Sequence, residues 1–171
     1  MDIEPFEHID FIATIDNLDF IEDETVTEIY SSHSFEYFDR SQANAVLKEW
    51  HRVLLPGGAI YLTVPDFAAL VNIYSTTGDL STIIGPLFGR WNNSGNILYH
   101  KTTWDFATLH SAFERAGFVQ IGKFSPIEYL EKIDYQYDDY SLAFFPHMDR
   151  EGIQVSLAIS AIKPIELRPN Y

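Results

Sequence analysis

A chain of 171 residues amounts to one domain at roughly 150 residues per domain, with enough length to bury a core of its own. Its 11 Lys and Arg against 25 Asp and Glu give a net charge of −14, which repels phosphate backbones and anionic headgroups, so neither nucleic acid nor membrane is an expected partner. With no cysteine there is no disulfide, thiolate metal site or thiol nucleophile. No apolar run nears the roughly 20 residues of a membrane span and no leader-like start is present, which places the chain in the cytoplasm.

The charge is uneven. Residues 1–40 hold twelve acids and one base, Arg40, so −11 of the −14 sits in this front segment. Aromatic residues are too abundant throughout, with 13 Phe, 10 Tyr and 3 Trp, for the acidic front to be a disordered tail.

In chain order, residues 8–13 (His-Ile-Asp-Phe-Ile-Ala) are short, apolar and β-branched and predict a strand, and residues 26–31 predict a second after an acidic loop. From Ser41 onward, Ala45, Val46, Trp50, Val53 and Leu54 recur at helical spacing, with Ser41 or Asp39 as N-cap. Pro56-Gly57-Gly58 stops that helix and releases the chain into a buried strand at residues 59–64. Strand, helix, tight glycine turn and strand make a βαβ unit, hence an α/β class with a mostly parallel sheet.

Residues 67–74 predict a short helix, Thr76-Thr77-Gly78-Asp79 a break, residues 80–88 another helix, and the Asn- and Gly-rich residues 89–99 a loop. Thr102 with Asp105 three positions later fits a capping box, and Phe106, Leu109, Ala112, Phe113 and Ala116 form the buried stripe of the helix that follows, ended by Gly117. Residues 118–124 predict a strand, 125–152 a long excursion carrying Tyr129, Tyr135, Tyr137 and Tyr140, and 153–162 the last strand. With no full crossover helix between them, the last two strands are expected to pair antiparallel at one end of the sheet.

Three segments then stand out together: Thr27-Glu28-Ile29-Tyr30-Ser31-Ser32-His33 with Phe35-Glu36; Glu49-Trp50-His51-Arg52-Val53-Leu54-Leu55-Pro56-Gly57-Gly58; and Tyr61-Leu62-Thr63-Val64-Pro65-Asp66. With Ala116-Gly117-Phe118 before a strand, they resemble the class I S-adenosylmethionine-dependent methyltransferases (type 11-like) over nearly the whole chain. The resemblance implies a Rossmann-like sheet, mostly parallel with an antiparallel C-terminal hairpin, and S-adenosylmethionine as cofactor. Such enzymes open on a strand and a glycine-rich turn, and no G-x-G pattern of that kind occurs here, so the expectation is an N-terminally truncated form whose cofactor cradle lacks that turn. A parallel sheet without a central strand exposes backbone donors and acceptors, which implies self-association or a protein partner.

Carried over residue by residue, the resemblance places Asp2 or Glu4 at the ribose hydroxyls. It places Thr14, Ile15, Asp16 and Asn17 near the adenine, and Ser32, His33 and Glu36 facing the reaction cleft. His33 with Glu36 three residues on fits a general base taking a proton from a hydroxyl or amine, and it fits equally a strand-end histidine that satisfies backbone groups. Asp66 fits a substrate-binding acid beyond a strand end, or a turn former after Pro65.

The six histidines show no H-x-x-x-H or H-x-H spacing, so no metal is expected. Ser31, Ser32 and Ser34 lack the glycine-flanked elbow of a serine hydrolase. The tyrosine-rich excursion reads as a substrate lid, an interface or a packed loop. Three functions remain open: a methyltransferase acting on a small molecule or sugar, a catalytically inactive methyltransferase-like scaffold or interaction subunit, and a fragment of a longer enzyme.

Overall fold

A computed structural model describes residues 1–134 except 4, 8 and 94, the strand pair residues 144–145, and residues 152–165. The expected antiparallel neighbours, the last two main strands, build a four-stranded sheet with the βαβ unit. Its order is β1 (Val26–Ser32), β2 (Leu54–Pro65), β8 (Ser156–Ile162), β5 (Val119–Lys123). β1 and β2 pair parallel, β8 runs antiparallel to both β2 and β5, and three of the four strands therefore point the same way.

α1 (Arg40–Val53) makes the crossover from β1 to β2. Asp39 is its N-cap, accepting from Ser41 N at 2.8 Å and Gln42 N at 2.9 Å, while Gln42 Oε1 accepts from Asp39 N at 3.1 Å. This reciprocal pair satisfies donors that the first turn leaves orphaned. Its buried face is Ala43, Val46, Leu47, Trp50 and Val53; Ala45, expected inside, is exposed. The helix ends at Val53 and not at Pro56. Pro56-Gly57-Gly58 lies within β2 as an irregularity, where the register jumps from Val26 opposite Leu54 to Glu28 opposite Ala59. Gly57, at φ +83°, and Gly58, where a Cβ would crowd Leu55 O at 2.8 Å, are the residues that permit it.

α4 (Phe106–Arg115) packs beside α1 on the same sheet face. There Leu109, Ala112 and Phe113 join Trp50, Leu62, Leu157 and Ile159 in the main core. The capping box lies three residues later than expected: Asp105 is the N-cap, accepting from Thr108 N at 2.8 Å. Thr102 instead donates from Oγ1 to Phe38 O at 2.8 Å, a contact between segments 64 positions apart that local spacing does not reveal.

On the other sheet face Tyr30 and Tyr61 stack on Tyr129 of α5 (Pro126–Lys132), a helix inside the stretch read as an excursion. Tyr135, Tyr137 and Tyr140 lie outside the described residues.

α2 (Phe67–Thr77), a 3₁₀ turn (Leu80–Thr82) and α3 (Ile84–Phe88) form a satellite whose core is Leu70, Ile73, Ile83 and Val155. The expected single helix over residues 80–88 is thus two short pieces. The expected loop that follows is a small antiparallel hairpin, β3 (Trp91–Asn93) with β4 (Asn96–Leu98). β6 (Phe144–Phe145) and β7 (Ile153–Gln154) form another antiparallel pair, and the expected strand over 153–162 breaks at Val155 into β7 and β8.

The expected strand at residues 8–13 does not form. Among the described residues of this segment, 9–13, only an isolated parallel bridge of Ile12 with Asp2 is present, supported by Asp2 N to Phe11 O at 3.2 Å and Ala13 N to Asp2 O at 3.0 Å. A strand needs a ladder of partners, and here a single residue pair supplies one.

What ties this segment to the core is Trp50, whose indole N–H donates to Ile15 O at 2.9 Å from a position 1% exposed. Trp50→Phe leaves that carbonyl without its donor and removes ring volume from the core, an expected loss of about 2 kcal/mol. Urea unfolding should show that loss, and hydrogen exchange should show faster exchange at residues 13–17 than elsewhere in the core.

Candidate functional site

β1 carries Ser32 to the end of the sheet, and the next residue turns sharply. His33 has φ +49°, in the left-handed region that a non-glycine residue occupies only when its surroundings hold it there. Its N–H donates to Thr63 O at 2.9 Å, extending the ladder one residue past β1. The 3₁₀ turn Phe35–Tyr37 follows, and Phe35 anchors it by lying fully buried against Trp50 and Trp104 at centroid distances of 5.7 and 5.5 Å. At i, i+3 spacing this brings Glu36 under the imidazole, with His33 Nδ1 3.4 Å from Glu36 Oε1.

Glu36 is 1% exposed, and among the described residues neither carboxylate oxygen has a hydrogen-bond partner. Its company is two imidazoles: His33, and His100, whose Nε2 lies 3.8 Å from the same Oε1. His100 is fixed by its own N–H to Phe88 O at 2.7 Å and by Nδ1 near Pro86 O at 3.1 Å. It also packs edge-on to Tyr37 at 4.9 Å, and Gly89 leaves room for it, since a Cβ there would overlap His100 Nε2. Burial holds His100 below the ordinary imidazole range, with Glu36 opposing that shift, and burial followed by the Glu36 charge pushes the Tyr37 phenol up.

The other face of His33 meets β8: Nε2 lies 2.9 Å from Ser156 Oγ, across 123 residues of sequence. His33 lines a cleft of about 420 Å³ with Asp2, Phe6, Ile15, Ser32 and Trp91. Ser156 lines a second cavity of about 360 Å³ with Asp66, Lys123, Ser125 and Gln154. The His33–Ser156 contact therefore bridges the two. A ring held between a carboxylate and a hydroxyl can take a proton on one nitrogen while the acid stabilises the cation formed.

Of the residues singled out in sequence, Asp2, Ser32 and His33 meet at the larger cleft, with Glu36 behind His33. Thr14 and Ile15 line it as well, whereas Asp16 and Asn17 are exposed on the turn beyond and are not among its lining residues. Ser32 Oγ accepts from Thr63 Oγ1 at 3.0 Å. Asp66 belongs to the second cavity, and its carboxylate caps α2 by accepting from Ala68 N at 3.0 Å. Glu4 lies outside the described residues. His100 and Ser156 have no local sequence signal: each joins the site only through long-range packing.

Residues 4–62 match the family model described as a methyltransferase domain. The fold is also that of solved methyltransferases. A chain from the complex of the Haloferax volcanii Trm112 methyltransferase activator with a candidate methyltransferase is similar at 19% identity and TM-score 0.51, covering 91% of this chain and 61% of that one. A Methanosarcina mazei SAM-dependent methyltransferase is similar at 13% identity and TM-score 0.51, covering 90% and 66%. A Thermotoga maritima SAM-dependent methyltransferase, described as a candidate histamine N-methyltransferase, is similar at 16% identity and TM-score 0.50, covering 88% and 61%.

The sequence match to a methyltransferase domain thus spans residues 4–62, and the fold of the chain is the α/β fold of these SAM-dependent methyltransferases. The chain spans less than two thirds of the length of each of these three methyltransferase-fold structures. A comparison with curated proteins gives no match. Among the described residues of this methyltransferase-like protein, no helix is long and apolar enough to cross a membrane and no cluster of three or more His, Asp or Glu could hold a metal ion.

Burial of His100 has a consequence for stability. Its unfolded imidazole titrates near the ordinary value of about 6.5 and its folded one lower, so the unfolded chain takes up more protons as pH falls through that range. The stability present above the ordinary imidazole range is therefore lost on acidification. The urea midpoint is expected to fall between pH 7 and pH 5, and to fall less in His100→Gln.

Proposed function

We propose that the protein binds S-adenosylmethionine in the larger cleft and that His33 takes the proton of a hydroxyl or amine on a small-molecule or sugar acceptor. The observation that carries this reading is the placement of His33 at the end of β1, between the buried Glu36 carboxylate and a cleft of about 420 Å³. The lining residues suit the nucleoside part of the cofactor. Asp2, whose backbone is fixed by its bridge to Ile12, would take the ribose hydroxyls, and Ile15 and Phe38 offer apolar surface for the adenine. When bound, the cofactor supplies a methyl group on a cationic sulfonium, a charge the acidic front segment tolerates.

Within the chain, the Glu36 carboxylate lies at ion-pair distance from His33 Nδ1, 3.4 Å. The His33 imidazole, which lines the cleft, is the group that receives the acceptor's proton. The buried carboxylate stabilises the resulting imidazolium.

One observation favours a second reading. No glycine lines the cleft, so the methionine end of the cofactor would meet Ser32 and Ser34 where a glycine turn would allow closer approach. On that reading the protein is an inactive methyltransferase-like scaffold or interaction subunit. Calorimetric titration with S-adenosylmethionine and S-adenosylhomocysteine separates the two. Micromolar binding is expected, weakened about tenfold or more by Asp2→Asn, which removes a charge-assisted hydrogen bond; the absence of heat up to millimolar ligand would leave the scaffold reading.

The open side of β1, at the edge of the sheet, supports association with a second copy or a protein partner, and a structural neighbour comes from a complex with an activator protein. Sedimentation velocity at micromolar concentration is expected to show a dimer or larger; a strict monomer would count against self-association.

A further inference from the structure

The geometry points to a second activity: Ser156, His33 and Glu36 form a nucleophile, base and acid constellation for acyl transfer on small polar esters in the smaller cavity. Such constellations are recognised by their geometry and roles and not by sequence order or by a glycine-flanked elbow. The requirements are a nucleophile within hydrogen-bond reach of a base and a third group orienting that base. Ser156 Oγ lies 2.9 Å from His33 Nε2, and Glu36 Oε1 lies 3.4 Å from His33 Nδ1.

Three features set this apart from a chance strand-end contact. Glu36 is 1% exposed with neither oxygen hydrogen-bonded among the described residues, so its carboxylate is committed to the imidazoles beside it. The His33 backbone sits at φ +49°, a conformation that costs free energy and is held by the surrounding packing. Ser156 opens the constellation onto a cavity of about 360 Å³, where the Ser125 hydroxyl and the Gln154 amide supply donors for a carbonyl oxygen.

The chemistry closes with water alone. Ser156 Oγ adds to the ester carbonyl carbon as its proton passes to His33 Nε2. The bond to the leaving alcohol breaks, and that alcohol takes the proton from His33. Water, giving a proton to the same imidazole, then adds to the acyl carbon; the acyl–Ser156 bond breaks, Ser156 Oγ takes that proton back from His33, and the carboxylic acid is released. Ser156 and His33 are the catalytic residues and Glu36 is a positioning residue. The acyl chemistry needs no methyl donor and uses the smaller cavity, sharing only the His33 imidazole with the methyl-transfer reading.

The test treats the full chain, without added cofactor, with a fluorophosphonate probe and maps the adduct by mass spectrometry, with p-nitrophenyl acetate hydrolysis as the turnover assay. One phosphonyl group per chain on Ser156 is expected, with none in Ser156→Ala. In His33→Asn, whose side chain tolerates the left-handed backbone, labelling slows about a hundredfold or more. Glu36→Gln slows it at least tenfold and removes the Nδ1–H preference from the ¹⁵N spectrum of the His33 ring, and Glu36→Asp restores part of both.

Circular dichroism identifies any variant that fails to fold, in which case the adduct site in the unaltered chain decides. Labelling that misses Ser156, or a rate unchanged within twofold in folded His33→Asn, overturns the proposal. Because S-adenosylmethionine is absent throughout, either result leaves the methyltransferase reading to its own titration.

Discussion

The front of the chain repels itself, with twelve carboxylates and one base in its first forty residues, and the side chain that makes it foldable is Arg52. Its guanidinium donates from Nη1 to Ile21 O at 2.9 Å and Asp23 Oδ1 at 2.6 Å, and from Nη2 to Leu18 O at 3.0 Å and Glu49 Oε1 at 2.7 Å. Nε completes the fork on Glu49 Oε2 at 2.9 Å. Glu49 in turn accepts from Leu18 N at 3.0 Å, and the Arg52 hydrogen bonds hold its carboxyl below the ordinary range. A lysine could not do this, since only a planar fork addresses two carbonyls and two carboxylates at once. Arg52 also lies in the last turn of α1, where a cation complements the helix dipole. With Trp50 two residues earlier in the same helix, this cluster fixes residues 15–24, and through them one wall of the larger cleft and the entry into β1.

The second constraint is the burial of Glu36. A carboxylate removed from water without hydrogen bonds is costly unless a partner compensates, and two imidazoles within 4 Å are the compensation. They are not equivalent. His100 is 9% exposed and held toward its neutral form by burial, while His33 is 20% exposed and opens to the cleft. The pair thus separates into a ring packed in the interior and a ring that lines the cleft. The free energy spent on burying the acid is offset by Phe35 and the aromatic stack around it, which shows why a polar group of this kind sits beneath one of the best-packed turns in the molecule.

What was legible in the sequence follows the range of the interaction behind it. The βαβ unit was legible because helical spacing, Pro-Gly-Gly and an apolar strand are local signals, and Ala116-Gly117-Phe118 marked the end of α4 for the same reason. The pairing of β5 with β8 was legible because no crossover helix separates them. Residues 8–13 carried strand composition, but composition cannot supply a ladder partner. Thr102 looked like a cap because threonine and aspartate three apart make one, yet its hydroxyl is drawn to Phe38 O, and Asp105 takes the cap with Thr108. His33 with Glu36 was visible as an i, i+3 pair. His100 reaches Glu36 across 64 residues and Ser156 reaches His33 across 123, and neither leaves a trace in any window of sequence.

A sheet of this class must be covered on both faces. α1 and α4 cover one; the other is covered in part by a helix of seven residues, α5, which buries Pro126, Tyr129 and Leu130. Tyr129 stacks on Tyr61 at 4.2 Å and Tyr30 at 5.2 Å, and its hydroxyl donates to Glu28, with burial and that carboxylate raising its pKa. The N-terminal residues of the same helix, Pro126 and Ile127, with Ser125 before them, form one side of the cavity into which Ser156 opens. A longer helix would seal the face and fill that space. The cavity and the aromatic cluster therefore share one helix, whose first residues wall the cavity while Tyr129 joins the cluster. The consequence is mechanical: any change that loosens Tyr129 from Glu28 and Tyr61 moves a wall of the cavity before it disturbs the core around Trp50 and Phe113.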